Sequence, residues 1–144
     1  MRFALTDEQR LIKESARTLL AQAAGLERLR AVIESGAGYD AALWNTLACE
    51  TGFAGLIVPE CYGGSGLGAV EMALVLEETG RALAVVPFFE TAVLAVQAIL
   101  LAGTPMQKQT LLPDIAAGRT RAAVAMTGPS GLPVPDGIAV IMTR

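Results

Sequence analysis

The chain has 144 residues, a hydrophobic fraction of 53%, a charged fraction of 17% and a net charge of 11 − 14 = −3. That length suits one domain, or one domain plus part of another, and that composition excludes intrinsic disorder. Histidine is absent, which removes Ser-His-Asp and Cys-His chemistry and most zinc sites, and the scattered Lys and Arg form no basic cluster for nucleic acid.

In chain order, Thr6-Asp7-Glu8-Gln9 predicts a capping box. The Thr6 hydroxyl can accept from the Gln9 amide while the Gln9 side chain reaches back. Ile12, Ala16, Leu19, Leu20 and Ala23 follow at helical spacing and end near Gly25. Leu26, Leu29 and Ile33 predict a second helix, broken by Ser35-Gly36-Ala37-Gly38. Asp40 reads as the next N-cap, Leu43, Trp44, Leu47 and Ala48 as an apolar face, and Gly52 as the glycine closing that helix.

A short apolar run from Phe53 to Val58 precedes a loop rich in glycine, Pro59 to Gly68. Its G-x-G-x-G spacing does not match a dinucleotide fingerprint, and no lysine follows to make a P-loop. The expectation is a structural turn. A helix resumes near Ala69, with Val70, Ala73, Leu74 and Leu76 apolar and Glu71, Glu77 and Glu78 on a solvated face. Cys49 and Cys61 are not in a C-x-x-C pair and read as inert core thiols in a reducing compartment.

The stretch from Ala82 to Gly103 is the most apolar of the chain, but Pro87, Glu90 and Gln97 interrupt it. Its clean part, Thr91 to Ala102, is about twelve residues, where a spanning helix needs roughly twenty. A largely buried helix of a protein without a membrane span is expected. Glu90 there is either a helix-start acid or a carboxylate near a ligand pocket. Ala92, Ala95 and Ala98 are small residues that leave room for a close neighbour or an apolar ligand. Thr104-Pro105-Met106-Gln107 repeats the capping-box pattern, and its helix runs to about Ala117 with Gly118 as the stop. Pro113 inside it predicts a kink or a shortened first turn. Two short strands are expected at 122–127 and 137–143, with turn-forming residues 128–136 between them. The fold class is therefore mainly α, five or six helices followed by a β stub.

Several of these pieces, in this order, resemble the acyl-CoA dehydrogenase family. They are Leu5-Thr6-Asp7-Glu8-Gln9, the V-P-E-x-Y-G-G-x-G loop from Val58 to Gly66, LVLEETGRA at 74–82, the G-x-x-x-Q-K…L-P…G segment from Gly103 to Gly118, and AVAMTGP at 123–129. The resemblance covers about residues 3–129. It implies an N-terminal helical domain at 1–120 and the truncated beginning of a middle β domain at 121–144. It also implies FAD as cofactor, acyl-CoA as substrate, an electron-transfer flavoprotein as partner and a homo- or hetero-oligomer; a cytoplasmic location is expected from the reducing-compartment reading of the two thiols and an N-terminus without an apolar signal region. In that family a glutamate base removes the α proton of the thioester and the flavin takes hydride from the β carbon.

Carried over by motif, Met126 and Thr127 would meet the flavin ring, with Ser130 as a looser cofactor contact. Thr91, Leu94, Ala95 and Ala98 would line the acyl pocket. Two departures stand out. Gly128 replaces the glutamate of T-E-P, and SGLPVP at 130–135 replaces the G-x-G-S-D that should follow. No residue here is assignable as the catalytic base, no metal site is expected, and the chain alone is not expected to be active. It reads as part of a longer enzyme, or as a short subunit that packs on a complete partner. The alternative is a non-catalytic helical interaction subunit that has lost flavin binding.

Overall fold

The computed structural model describes residues 4–125 of the chain. Among them are six α-helices and no β-strand. Helix α1 (Asp7–Ala23) begins at Thr6, whose hydroxyl accepts from Gln9 N–H at 3.1 Å while the Gln9 side chain accepts from Thr6 N–H at 3.0 Å. The capping box read from the sequence thus forms, and it satisfies donors that a helix start would otherwise leave free. α1 packs along α4 (Ala69–Arg81). Gln9 meets Glu71, Lys13 meets Glu77 and Arg17 meets Glu78, so the contacts advance in the same sense along both helices and the two run roughly parallel.

Helix α2 (Leu26–Ser35) has no side-chain cap and buries no residue fully. Its tie to the body is Arg28, whose guanidinium forks the Asp40 carboxylate. Asp40 also caps α3 (Ala41–Trp44), accepting from Leu43 N–H at 2.9 Å. α3 continues without a break into a π-helical stretch, Asn45–Glu50. Leu43, Trp44, Leu47 and Ala48 are all buried, so the expected apolar face holds even though the turn widens midway.

The run from Phe53 is neither a strand nor a long helix. It starts as a single 3₁₀ turn, Phe53–Gly55, and Phe53, Ala54, Leu56 and Val58 are buried. The glycine loop folds back over it. Ser65 N–H donates to Gly55 O at 3.0 Å, Gly66 N–H to Val58 O at 2.9 Å, and Leu67 N–H to Leu56 O at 2.8 Å. The loop therefore satisfies the backbone of a buried segment that has no sheet to do so, as a structural turn should.

A second π-helical stretch, Phe89–Ala95, runs into α5 (Val96–Ala102), and α6 (Pro105–Ala116) closes the described helices. The second capping box forms as read: Gln107 N–H donates to the Thr104 hydroxyl and Thr104 N–H to the Gln107 side chain. α6 is assigned as one helix through Pro113, and Gly118 ends it with φ +70°. The main core joins Ala16 and Leu20 of α1 to Leu43, Trp44 and Leu47, to Phe53 and Leu56, to Met72 and Val75 of α4, and to Phe88 and Ala92. A smaller one joins Val58, Val96, Leu112, Ile115 and Ala116.

Four expectations need correction. Glu78 is not on a solvated face: it is 1% exposed, because Arg17 reaches it from α1, 61 residues away in sequence. Val70 and Ala73 are exposed, and α4 buries Met72 and Val75 beside the expected Leu74. Cys49 and Cys61 are both exposed free thiols rather than core residues. The helix at 91–101 is not buried on most sides, since Gln97 and Ala98 are exposed and Leu101 is 83% exposed. No helix of the described residues is long and apolar enough to cross a membrane. The strand expected at 137–143 lies outside the described residues, as does the end of the one at 122–127. Residues 121–125 show no strand pairing, although their burial alternates between exposed and half-buried.

Candidate functional site

The four residues expected along an acyl pocket fall on the helical run from Phe89 to Ala102, and they differ in exposure. Thr91 is fully buried, Ala95 is buried, Leu94 is half-buried and Ala98 is exposed. The Thr91 hydroxyl donates to Ala122 O at 3.0 Å and accepts from Ala122 N–H at 3.2 Å. A threonine hydroxyl has one proton to give, so this side chain has no donor left for a ligand.

An apolar hollow of about 250 Å³ lies beside the start of this run. Leu76 and Thr79 of α4, Leu83 in the following turn, and Phe88, Phe89 and Glu90 line it. Adjacent residues on a helix point about 100° apart. That divides the two phenylalanines: Phe88 is 1% exposed and anchors the core, while Phe89 is 47% exposed and faces the hollow. Of the two readings that the sequence left open for Glu90, the helix-start acid is the one the geometry supports. It sits in the first turn of Phe89–Ala95, where the helix dipole favours an acid, and its exposed side chain stands at the hollow's rim. Leu83 is held at φ +50°, an uncommon conformation for a branched side chain. The sequence reading missed Leu83 and Phe89. The Phe88-Phe89 pair was the available cue, because two adjacent large apolar residues cannot both face one core from one helix.

The buried acids are structural. Asp40 is held down to about 2 by hydrogen bonds from Arg28, against the opposing effect of burial and with help from Leu43 N–H. Glu78 is likewise held below its ordinary value, first by its hydrogen bonds from Arg17. A carboxylate kept so acidic is a poor proton acceptor at neutral pH. Among the described residues no group of three His, Cys, Asp or Glu side chains comes together to hold a metal ion.

The described residues do not by themselves fit a flavin. No buried side-chain nitrogen or oxygen among them is left without a hydrogen-bond partner, and the one proton of the Thr91 hydroxyl is committed to Ala122 O. Met126, Thr127 and Ser130, the expected cofactor contacts, lie outside the described residues.

With this geometry in hand, comparison with known proteins is specific. The family profile described as "Acyl-CoA dehydrogenase, N-terminal domain" matches residues 6–119. The chain is 39% identical over 99 residues to acyl-CoA dehydrogenase IpdE2 of Mycolicibacterium smegmatis, covering 69% of this chain and 32% of that protein. In structure it superposes on a chain of the ChsE4–ChsE5 complex from Mycobacterium tuberculosis with a TM-score of 0.82 and 29% identity, over 92% of this chain and 36% of that one. An acyl-CoA dehydrogenase from Bacillus anthracis solved with FAD gives a TM-score of 0.69 and 28% identity, over 88% of this chain and 21% of that one. The chain thus spans about one third or less of the length of the proteins it matches.

Proposed function

The chain belongs to the acyl-CoA dehydrogenase family, and we propose that it supplies the N-terminal helical domain, residues 1–120, of an FAD-dependent acyl-CoA dehydrogenase. Residues 121–144 then begin the middle β domain. The observation that carries this reading is the family match across residues 6–119, over a fold whose helices, caps and glycine loop stand where the sequence motifs put them. The reaction proposed is α,β-dehydrogenation of acyl-CoA thioesters. When bound, the flavin accepts the hydride. This chain's share is to form part of the site's framework and to offer Met126, Thr127 and Ser130 to the cofactor.

Because the described helices hold no flavin site of their own, activity requires a complementary polypeptide, either further chain or a partner subunit, in a homo- or hetero-oligomer. An electron-transfer flavoprotein is the proposed electron acceptor, and the cytoplasm the proposed location. One specific observation favours a second reading, a helical subunit that has lost the flavin: Gly128 stands where the family motif has glutamate.

A titration with FAD of the chain assembled with its complementary polypeptide decides between them. Saturable quenching of flavin fluorescence, weakened by Thr127→Val, supports the first reading. An assembly that takes up no added FAD sinks the assignment of Met126, Thr127 and Ser130 and leaves the interaction subunit.

A further inference from the structure

We propose that α2 is a flap, which swings off the helical body as a unit while the rest of the domain stays folded, and that the fork of Arg28 on Asp40 is its latch. The flap stands whether or not the chain takes up a cofactor.

α2 is seated on the body rather than buried in it. None of its residues is fully buried, and its first turn has no side-chain cap. Leu29 and Val32 are half-buried over Leu43, Leu83 and Val85, with about 10 Å³ between them, scarcely room for one water. Leu26 and Ile33, seven residues apart and so on one side of the helix, face solvent. Glycines stand at both ends, Gly25 in extended backbone and Gly36 at φ +68°. A Cβ on either would meet nothing within 4 Å, so no neighbour hinders these joints.

The one strong tie is charged. Arg28 donates to both carboxylate oxygens of Asp40, to Oδ1 at 2.8 Å. Among the described residues no other side-chain hydrogen bond is recorded between α2 and another element. Losing its arginine would ordinarily strand a buried carboxylate at high cost. Asp40 and α2 line the same narrow space, so the motion that breaks the fork also gives the carboxylate to water. Leu43 N–H goes on donating to Oδ1 at 2.9 Å. Opening therefore costs much less than unfolding. Leu83 lines both this space and the hollow beside Phe89, so an open flap also uncovers the wall of that hollow from behind.

Once off the body, α2 is ten residues long, too short to stay helical in water, and its amides exchange. The test is native-state amide hydrogen exchange on the full chain, read at Val32 and Ile33, with the buried Leu20 of α1 reporting the body. In wild type Val32 and Ile33 should exchange at least about hundredfold faster than Leu20. Their rates should stay nearly level in sub-denaturing urea, where that of Leu20 climbs, because opening exposes little surface. Val75→Ala weakens the main core and lies outside the residues under α2. It should speed Leu20 at least about tenfold and leave Val32 and Ile33 unchanged. Arg28→Ala should speed Val32 and Ile33 at least about fivefold, and Leu20 by the same factor, because the fork exists only in the closed state.

Val32 and Ile33 exchanging at the rate of Leu20 overturns the flap. So does acceleration of all three amides in Val75→Ala, since α2 would then open only when the chain unfolds. The urea series on wild type draws the same distinction without a variant. Exchange at Val32 and Ile33 unchanged in Arg28→Ala overturns the latch, and the proposal with it.

Discussion

Arg17 on α1 holds Glu78 on α4 through both carboxylate oxygens, at 2.9 and 3.3 Å, and Glu78 is 1% exposed. Arg81 adds a weaker contact at 3.4 Å from the same helix. A buried carboxylate is tolerated only when paired, and removing one partner leaves the other charge uncompensated. Arg17→Ala is therefore expected to lower Tm by roughly 3–8 °C. Replacing both partners by apolar residues of similar size, Arg17→Met with Glu78→Leu, should recover most of that loss. Thermal melts of the three variants check this, and an unchanged Tm in Arg17→Ala would show that Arg81 suffices.

Asp40 gives a pH dependence with a definite sign. Its folded-state pKa is about 2 against an ordinary 3.8, the Arg28 hydrogen bonds being the largest cause. A depressed carboxylate contributes stability above its unfolded pKa and loses it as pH falls through the folded one. The window is thus from about 4 down to about 2. At neutral pH wild type should exceed Asp40→Asn by on the order of 1–2 kcal/mol, allowing for screening at the part-exposed Arg28. Urea midpoints at neutral pH and at pH 2 test it. The gap between the two proteins should close at the acid end, and a constant gap would assign the effect to the cap alone.

Which features could be read from sequence follows from the range of the interactions that make them. Thr6 with Gln9, and Thr104 with Gln107, are bonds across three residues, and both formed as read. Asp40 as a cap was legible for the same reason, but its fork with Arg28, which lies back across the α2–α3 turn, was not. Glu78 resembled its exposed neighbour Glu77, because nothing local distinguishes a carboxylate whose partner is 61 residues away. Thr91 joined the acyl-pocket set by resemblance alone, and the bond of its hydroxyl to Ala122, 31 residues on, has no local trace. The two π-helical stretches share their spacing of apolar residues with an ordinary helix, so periodicity could not reveal them.

Trp44 fastens the end of α6 to the core by donating its indole N–H to Gly118 O at 2.9 Å. Gly118 has φ +70°, and a Cβ there would lie 2.8 Å from Ala48 C and from Cys49 Sγ. Trp44→Phe removes one buried hydrogen bond and some volume, and should cost about 1–3 kcal/mol. Gly118→Ala meets both a left-handed backbone and a clash with main chain, so its cost should be larger, at least about 3 kcal/mol. Denaturant unfolding of both variants tests the order. A Gly118→Ala chain as stable as Trp44→Phe would mean that the α6 end moves freely away from α3.

The glycine loop offers a sharper discrimination, between a turn demanded by backbone angle and one demanded by space. Gly63 has φ +81°, yet a Cβ there would meet nothing within 4 Å. Gly64 is the reverse: a Cβ would fall 2.1 Å from Val58 O, the carbonyl that accepts from Gly66 N–H. Gly63→Ala should therefore cost only the left-handed penalty, about 1–2 kcal/mol. Gly64→Ala must push the loop off the buried run at 55–58 and free the carbonyls that Ser65, Gly66 and Leu67 satisfy, which should cost on the order of 3 kcal/mol or more. Hydrogen exchange at the amides of Ser65, Gly66 and Leu67 separates the two. It should rise strongly in Gly64→Ala and little in Gly63→Ala, and equal exchange in both variants would show that backbone angle, not the close approach to Val58, is what the loop's glycines supply.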